Sequence, residues 1–446
     1  MKFYIHKLGC PKNDVDADYI AARLIDAGHE PVCDPLAADS IIVNTCGFIL
    51  PAKEESITEI LRLGQLKKEG RLRALFASGC LSQRYGDELL KEIPELDGAF
   101  GHGALDSLAA AVDGAPRFDR AMRVEPRRLA YLDWRDRFIS DPYPWAYLKI
   151  SDGCDRGCTF CAIPGMRGRF RSRPLESILR EARFLADRGK RELILVSQEA
   201  TLWGYDLPGR PDILSLLRAL DGLAGVRWIR LMYLYPAALT TELIEYLADD
   251  GTKALDYFDL PLQHISDDIL RAMRRRGDRR AIESQLRAIR EIAPGGTVRT
   301  TLIVGFPGET ERHFAELREF VERFEFDRLG VFAYSPEEGT PAAEYPGQVP
   351  ERIRQRRVDD LMTVQQEIAF AKNNSLIGRI LEVIIDSAPA DGPGSGEPGA
   401  TAPRSTRKSA SAGSASRPVP SAASGSRRPT GTISADAQSG SWHDSV

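Results

Sequence analysis

The run Cys154-Asp155-Arg156-Gly157-Cys158-Thr159-Phe160-Cys161 places three cysteines at C-x3-C-x2-C spacing. A tetrahedral zinc site takes four ligands, and no further cysteine or histidine lies near this run. Three thiolates suit a cubane 4Fe-4S cluster whose fourth iron stays open to a small molecule. The bland reading is three buried thiols acting as small apolar side chains. A loop rich in glycine and charge argues against it.

Three more cysteines share a pattern of their own. Cys10 lies in Leu8-Gly9-Cys10-Pro11-Lys12-Asn13, Cys46 in Asn44-Thr45-Cys46-Gly47-Phe48-Ile49, and Cys80 in Ser78-Gly79-Cys80-Leu81. Each follows a strand-like apolar run. In open α/β sheets ligands gather beyond the carboxyl ends of the strands. Neighbouring parallel strands lie about 4.8 Å apart, so residues just past their ends can converge on one centre. The adjacent glycines let backbone amides approach cluster sulfurs. These cysteines are read as holding a second 4Fe-4S cluster, with three unrelated thiols as the alternative. Cys33, the last of the seven, is expected to be a partly buried residue.

The elements that position these groups fall into three zones. Residues 1–135 repeat strand, loop and helix: strands at 3–6, 41–44 and 74–77, and helices at 14–27, 51–68 and 87–92, with Gly28 as a helix stop. This predicts an α/β domain built on an open parallel sheet. Residues 140–375 alternate six times, with strands at 146–150, 192–196, 227–232, 257–260, 298–304 and 328–334. Between the first two, Pro174 opens a helix with apolar positions Leu175, Ile178, Leu179, Ala182 and Leu185, and Gly189 stops it. Six units predict a partial (β/α)6 barrel, whose active site belongs at the carboxyl ends of its strands. The Cys154 loop follows the first strand and so falls on that face. A charged helix covers about 350–373, and residues 379–385 alternate like a strand. Residues 387–446 are mostly Ser, Ala, Gly, Pro and Arg. That tail cannot bury a core and is expected to be disordered.

The 446 residues leave room for two or three domains, and 43% hydrophobic with 28% charged residues reads as globular. A net charge of -4 excludes a non-specific nucleic-acid binder. No apolar run is long enough to span a membrane. The opening Met1-Lys2-Phe3-Tyr4-Ile5-His6 lacks the apolar core of a signal peptide. A cytoplasmic location follows, where thiols stay reduced and serve as ligands.

Taken together, the chain resembles the radical S-adenosylmethionine (radical SAM) methylthiotransferases over about residues 1–385. The resemblance rests on the six cysteines, on Phe160 before the last of them, and on Leu260-Pro261-Leu262-Gln263-His264 and Gly305-Phe306-Pro307-Gly308-Glu309-Thr310. Cys10-Pro11-Lys12-Asn13, Asn44-Thr45-Cys46-Gly47-Phe48-Ile49 and Tyr334-Ser335-Pro336-Glu337-Glu338-Gly339-Thr340 look like the ribosomal-protein branch. That branch implies methylthiolation of an aspartate β-carbon in small ribosomal subunit protein 12. It also implies a cluster on Cys154, Cys158 and Cys161 that binds SAM, and a cluster on Cys10, Cys46 and Cys80 that supplies sulfur. The implied helpers are a low-potential electron donor such as flavodoxin or ferredoxin, and a sulfur donor. Phe160 and the Ile163-Pro164 turn are expected to border the adenine. Gln198 and Glu199 are expected to reach the ribose or methionine end, and Arg230 to pair with the SAM carboxylate.

Charge is read alongside. Glu337 and Glu338 would repel RNA and attract a basic partner, or form a solvated acidic turn. Arg167, Arg169, Arg171 and Arg173 alternate, which would put all four on one face of an extended segment. They would meet nucleic acid, hold a target carboxylate or be solvated, and residues 271–280 read as an exposed helix end and turn. Neither basic run is assigned to RNA. The family normally ends in a small TRAM β-barrel, of which only the first strand, 379–385, is expected here. Normal cluster content with weak affinity for the ribosomal protein follows. The competing readings are a tRNA adenosine methylthiotransferase and a non-catalytic iron–sulfur protein.

Overall fold

The structure, a computed structural model, describes residues 1–114, 121–123, 137–139, 141–386 and 405–406. Its first unit is built on strand β1 (Lys2–Lys7), followed by helix α1 (Pro11–Asp26), β2 (Glu30–Pro31), β3 (Ser40–Thr45), α2 (Leu50–Lys68), β4 (Ala74–Gly79), α3 (Cys80–Glu92), β5 (Gly98–Phe100), α4 (Leu105–Gly114) and β6 (Ala121–Arg123). The six strands form one parallel sheet in the order β2-β1-β3-β4-β5-β6. β3 and β4 are buried along their whole length, as apolar runs sandwiched between helix layers should be. Alternation sorts the side chains. Ile41, Val43 and Leu75 pack on Ile60 and Leu63 of α2 and on Leu89 of α3. Phe3, Ile42 and Phe76 face Ile20 and Leu24 of α1 and Leu108 of α4. The parallel α/β sheet is as predicted, with three short strands beyond the three expected; two- and three-residue strands carry too little periodicity to read. Helix α3 starts at Cys80 and not at 87, with a non-helical Tyr85 interrupting it.

The second unit runs β7 (Trp145–Lys149), β8 (Ser151–Asp152), α5 (Ile163–Arg167), β9 (Arg171–Ser172), α6 (Leu175–Asp187), β10 (Glu192–Val196), α7 (Ile213–Asp221), β11 (Trp228–Leu231), α8 (Thr241–Ala248), β12 (Tyr257–Gln263), α9 (Asp267–Ala272), α10 (Arg279–Ile292), β13 (Thr297–Val304), α11 (Glu311–Phe324), β14 (Arg328–Ala333) and α12 (Glu351–Asn374). Strands β7, β10 and β11 pair in parallel, as do β12, β13 and β14. The two sets meet where Ile229 bonds the backbone of Lys253 and Leu255 and where Leu234 N–H donates to Asp259 O. The result is an open, six-stranded arc with helices outside, the partial barrel expected. Side-chain caps start its helices: Asp212 for α7, Thr240 for α8, Asp278 for α10 and Thr310 for α11. A short antiparallel clip, β8 with β9, brackets the Cys154 loop.

The strand expected at 379–385 shrinks to β15 (Glu382–Val383), paired antiparallel with β16 (Ser405–Thr406). Ile380 is fully exposed and Ile385 largely so, while Val383 and Ile384 line a cleft with Val226 and Trp228. The expected disorder of 387–446 lies outside the described residues, apart from β16.

Candidate functional site

Strands β1, β3 and β4 are neighbours, and Cys10, Cys46 and Cys80 sit at their carboxyl ends. The loops approach so closely that side chains would not fit. At Gly9 (φ +90°) a Cβ would lie 2.8 Å from Cys46 Cβ; at Gly47 it would lie 2.8 Å from Leu81 Cα. Asn13 Nδ2 donates to Leu8 O and Thr45 O, both at 3.0 Å, and Asn44 Nδ2 donates to Asn13 O at 2.7 Å. Ser56 Oγ accepts from Cys46 N–H at 3.0 Å. Burial, then the charges of Cys80 and Cys10, push the Cys46 thiol up to about 12. Burial likewise raises Cys80. Thiols that disfavour one another's ionisation need a compensating positive centre to become thiolates, which a metal cluster provides.

Part of that compensation comes from the barrel. Arg167, at the end of α5, places Nη2 3.6 Å from Cys80 Sγ and 2.6 Å from Asn13 Oδ1. Its Nη1 donates to Asp16 at 2.7 Å and Asp152 at 3.3 Å. Lys149 also pairs with Asp16 and Asp152, and His102 lies 3.8 Å from Asp16. This buried network corrects the reading of the arginine run. Arg167 is buried in the interface, Arg169 is exposed, and Arg173 is buried against Glu181. A helix and a two-residue strand break the segment, so the four share no face.

The barrel triad is folded onto its surroundings. Cys154 N–H donates to Gly168 O at 3.2 Å, and Cys161 N–H to Cys158 O at 3.2 Å. Thr159 ties the loop down: its N–H reaches Met273 O at 3.2 Å and its hydroxyl reaches Ala272 O at 2.9 Å. Gly153 has φ +78°, and a Cβ there would collide with Arg169 O. Burial, then Cys158, pushes Cys161 up to about 12; Cys154 rises to about 11, chiefly by burial. Among the described residues no three Cys, His, Asp or Glu side chains converge as a single ion requires.

Of the other predicted residues, Phe160 and Glu199 touch this loop or its neighbours, while Arg230 is held at the start of β10 and β12. Phe160 packs beside Ile269, Met273 and Phe306. Glu199 is buried and accepts from Arg156 Nε at 2.5 Å and from Thr201 N–H at 3.0 Å. Arg230 Nε donates to Glu192 at 2.6 Å, and its guanidinium lies 4.5 Å from the Tyr257 ring. Gln198 Oε1, Arg156 Nη2 and Arg230 Nη2 are buried without a hydrogen-bond partner among the described residues. Such orphans are costly, and they suit a ligand carrying both carboxylate and ammonium groups, as SAM does. Sequence reasoning missed Arg156, Tyr235 and Arg275. The two guanidiniums lie 3.9 and 4.4 Å from the Tyr235 ring, and Arg275 Nη1 lies 3.9 Å from Cys158 Sγ. The 271–280 run is thus more than an exposed turn. Its signal was an arginine-rich stretch between α9 and α10, in the connection that follows β12.

Two further expectations are corrected. Glu337 is no acidic rim: it is 1% exposed and takes Lys53 at 2.8 Å and Arg84 at 2.7 Å. Burial opposes its charge, but Lys53, Ser335 and Arg84 outweigh burial and hold its carboxyl below the usual glutamate value. Cys33 is exposed rather than partly buried.

The comparisons with known proteins agree with this architecture. The Radical SAM superfamily matches residues 148–321, and the uncharacterized protein family UPF0004 matches residues 2–101. The chain is 45% identical over 392 residues to the "Ribosomal protein uS12 methylthiotransferase RimO" of Heliobacterium modesticaldum, covering 88% of this chain and 85% of that protein. It is 47% identical over 389 residues to the protein of the same name from Syntrophus aciditrophicus, covering 86% and 85%. Among solved structures, the radical S-adenosylmethionine methyltransferase TsrM from Kitasatospora setae shares the fold, with a TM-score of 0.54 at 17% identity over 76% of each chain. A radical SAM domain of this kind works with an iron–sulfur cluster and SAM. With both units present, in order and at this level of identity, the chain belongs to the RimO family of radical SAM methylthiotransferases.

Proposed function

We propose that this chain methylthiolates an aspartate of ribosomal protein uS12 and that it holds two 4Fe-4S clusters to do so, one on Cys154, Cys158 and Cys161 and one on Cys10, Cys46 and Cys80. When bound, the first cluster supplies an electron to SAM and the second supplies sulfur. The observation that carries this reading is Arg167. It leaves the barrel's own cysteine loop and lies against Cys80 of the other triad, so both triads serve one reaction space.

The side chains position and shield. Phe160 borders the adenine, Gln198 and Glu199 face the ribose and methionine end, and Arg230 offers its unpartnered Nη2 to the SAM carboxylate. Arg156 and Arg275, stacked about Tyr235, keep positive charge beside the barrel triad. Among the described residues no helix is long and apolar enough to cross a membrane. We place the enzyme in the cytoplasm, served by a flavodoxin- or ferredoxin-like electron donor and a separate sulfur donor. The test is anaerobic reconstitution with SAM, reductant and purified uS12, read by mass spectrometry. A methylthio group on an aspartate of uS12, absent with Cys10→Ala or Cys158→Ala, is the expected result. 5′-Deoxyadenosine without modified uS12 contradicts the substrate assignment, and modified tRNA under the same conditions replaces it.

A further inference from the structure

Lys12 is 8% exposed, yet its ammonium forms no ion pair with a carboxylate among the described residues. Each of the other buried cations among the described residues has at least one carboxylate or carbonyl partner. Lys149 and Arg167 pair with Asp16 and Asp152, Arg137 with Asp18 and Glu181, Arg173 with Glu181, Arg230 with Glu192, and Arg357 with Glu309 and Glu311. Lys190 donates to two carbonyls, Asp141 O at 2.7 Å and Tyr143 O at 2.5 Å. Lys12 has neither a carboxylate nor a carbonyl partner among the described residues. Its Nζ sits 3.6 Å from the centroid of the Tyr233 ring. A ring face offsets only part of the desolvation of an ammonium.

Its surroundings are built to hold this arrangement. Tyr233 lies just beyond β11 at φ +61°, a left-handed conformation uncommon for a side-chain-bearing residue. Asp259, the nearby carboxylate, accepts from Tyr233 N–H at 2.9 Å and lies 3.9 Å from Arg299. It therefore fixes the tyrosine and is not paired with Lys12. Lys12 comes from the first turn of α1, two residues after Cys10, and reaches across to the barrel. It is a buried positive charge at the seam between the two units.

We infer that Lys12 receives the side-chain carboxylate of the residue being modified, and so selects aspartate. This rests on the function proposed above. In an aspartate the carboxyl carbon is bonded directly to the β-carbon. An anion held by Lys12 therefore keeps that carbon beside the Cys10 loop, where sulfur is to be delivered. An incoming carboxylate would also give the ammonium a charged partner, where the fold supplies only the Tyr233 side chain.

The test is equilibrium binding of fluorescent peptides spanning the target loop of uS12, with aspartate or asparagine at the target position, to the reconstituted chain. Wild type is expected to prefer the aspartate peptide by about tenfold or more, the scale of a charge-assisted pair. Lys12→Met and Lys12→Gln are expected to erase that preference at wild-type iron and sulfide content. A preference that survives in either variant with full clusters overturns the inference while leaving the function intact. If Lys12→Met loses iron, Lys12→Gln, which keeps the side chain's polarity and approximate length, decides alone; loss of iron from both would make Lys12 structural and overturn the inference. Wild-type chain that binds and modifies neither peptide nor uS12 overturns the functional reading and this inference together.

Discussion

Arg167 is the side chain on which the two triads meet. Replacing it by alanine leaves Asp16 and Asp152 buried with Lys149 as their remaining strong partner. Breaking one member of a buried ion network costs about 3 kcal/mol, so Arg167→Ala is expected to lower unfolding stability by that order in a denaturant titration. Gly47 gives a sharper local test. A Cβ there meets Leu81 Cα and N at 2.8 and 2.9 Å, and backbone atoms cannot step aside as a flexible side chain would. Gly47→Ala is expected to displace the Cys46 loop and halve the iron content, with SAM cleavage retained. The cysteines were legible because spacing within a loop and repetition after strands are local signals. Arg167 was misread because its partner Cys80 is 87 residues away, and alternate spacing says nothing of a chain that bends. Lys12 was legible only as a letter in a motif, since the lack of a carboxylate partner is a property of the fold.

At the scale of elements, the β14–α12 connection holds the first unit through Glu337, which bonds Lys53 of α2 and Arg84 of α3. Glu337→Ala leaves two cations facing each other, and faster amide exchange in α2 and α3 is expected. The region beyond β12 carries a pH dependence. His264 accepts from Ser266 N–H at 3.0 Å and is wholly buried, and burial, then the neighbouring His313 and Arg357, brings it down to about 3. Below its unfolded pKa near 6.5 the unfolded chain takes the proton and the folded chain does not, so stability falls as pH falls. Between pH 7 and pH 5 this amounts to roughly 2 kcal/mol. Glu309, 3.9 Å away, acts with the opposite sign. Burial raises it to about 7, so its term is lost as pH rises from its unfolded value. His264→Gln removes the histidine term alone. The variant is expected to lose less stability than wild type on going from pH 7 to pH 5 in parallel urea titrations. An equal loss would show that His264 takes up its proton in the fold. The long strands and helices were legible from period; the short β2, β5 and β6 and the β8–β9 clip were not, because two or three residues cannot establish one.

At the scale of the molecule, the parallel sheet and the open barrel each bring three cysteines to strand ends, and the buried seam of α1, α5 and β7 joins them. The C-terminal segment is where sequence and fold agree least. The expected seven-residue strand is two residues long, since alternation needs a partner surface to become a sheet. Two clusters held independently, one on each triad, would show in the iron content. Anaerobically reconstituted wild-type chain is expected to bind about eight iron atoms. The triple variant Cys10→Ala, Cys46→Ala, Cys80→Ala is expected to bind about four and still cleave SAM. The triple variant Cys154→Ala, Cys158→Ala, Cys161→Ala is expected to bind about four and cleave none. Full iron in the first triple variant, or SAM cleavage in the second, would contradict the account.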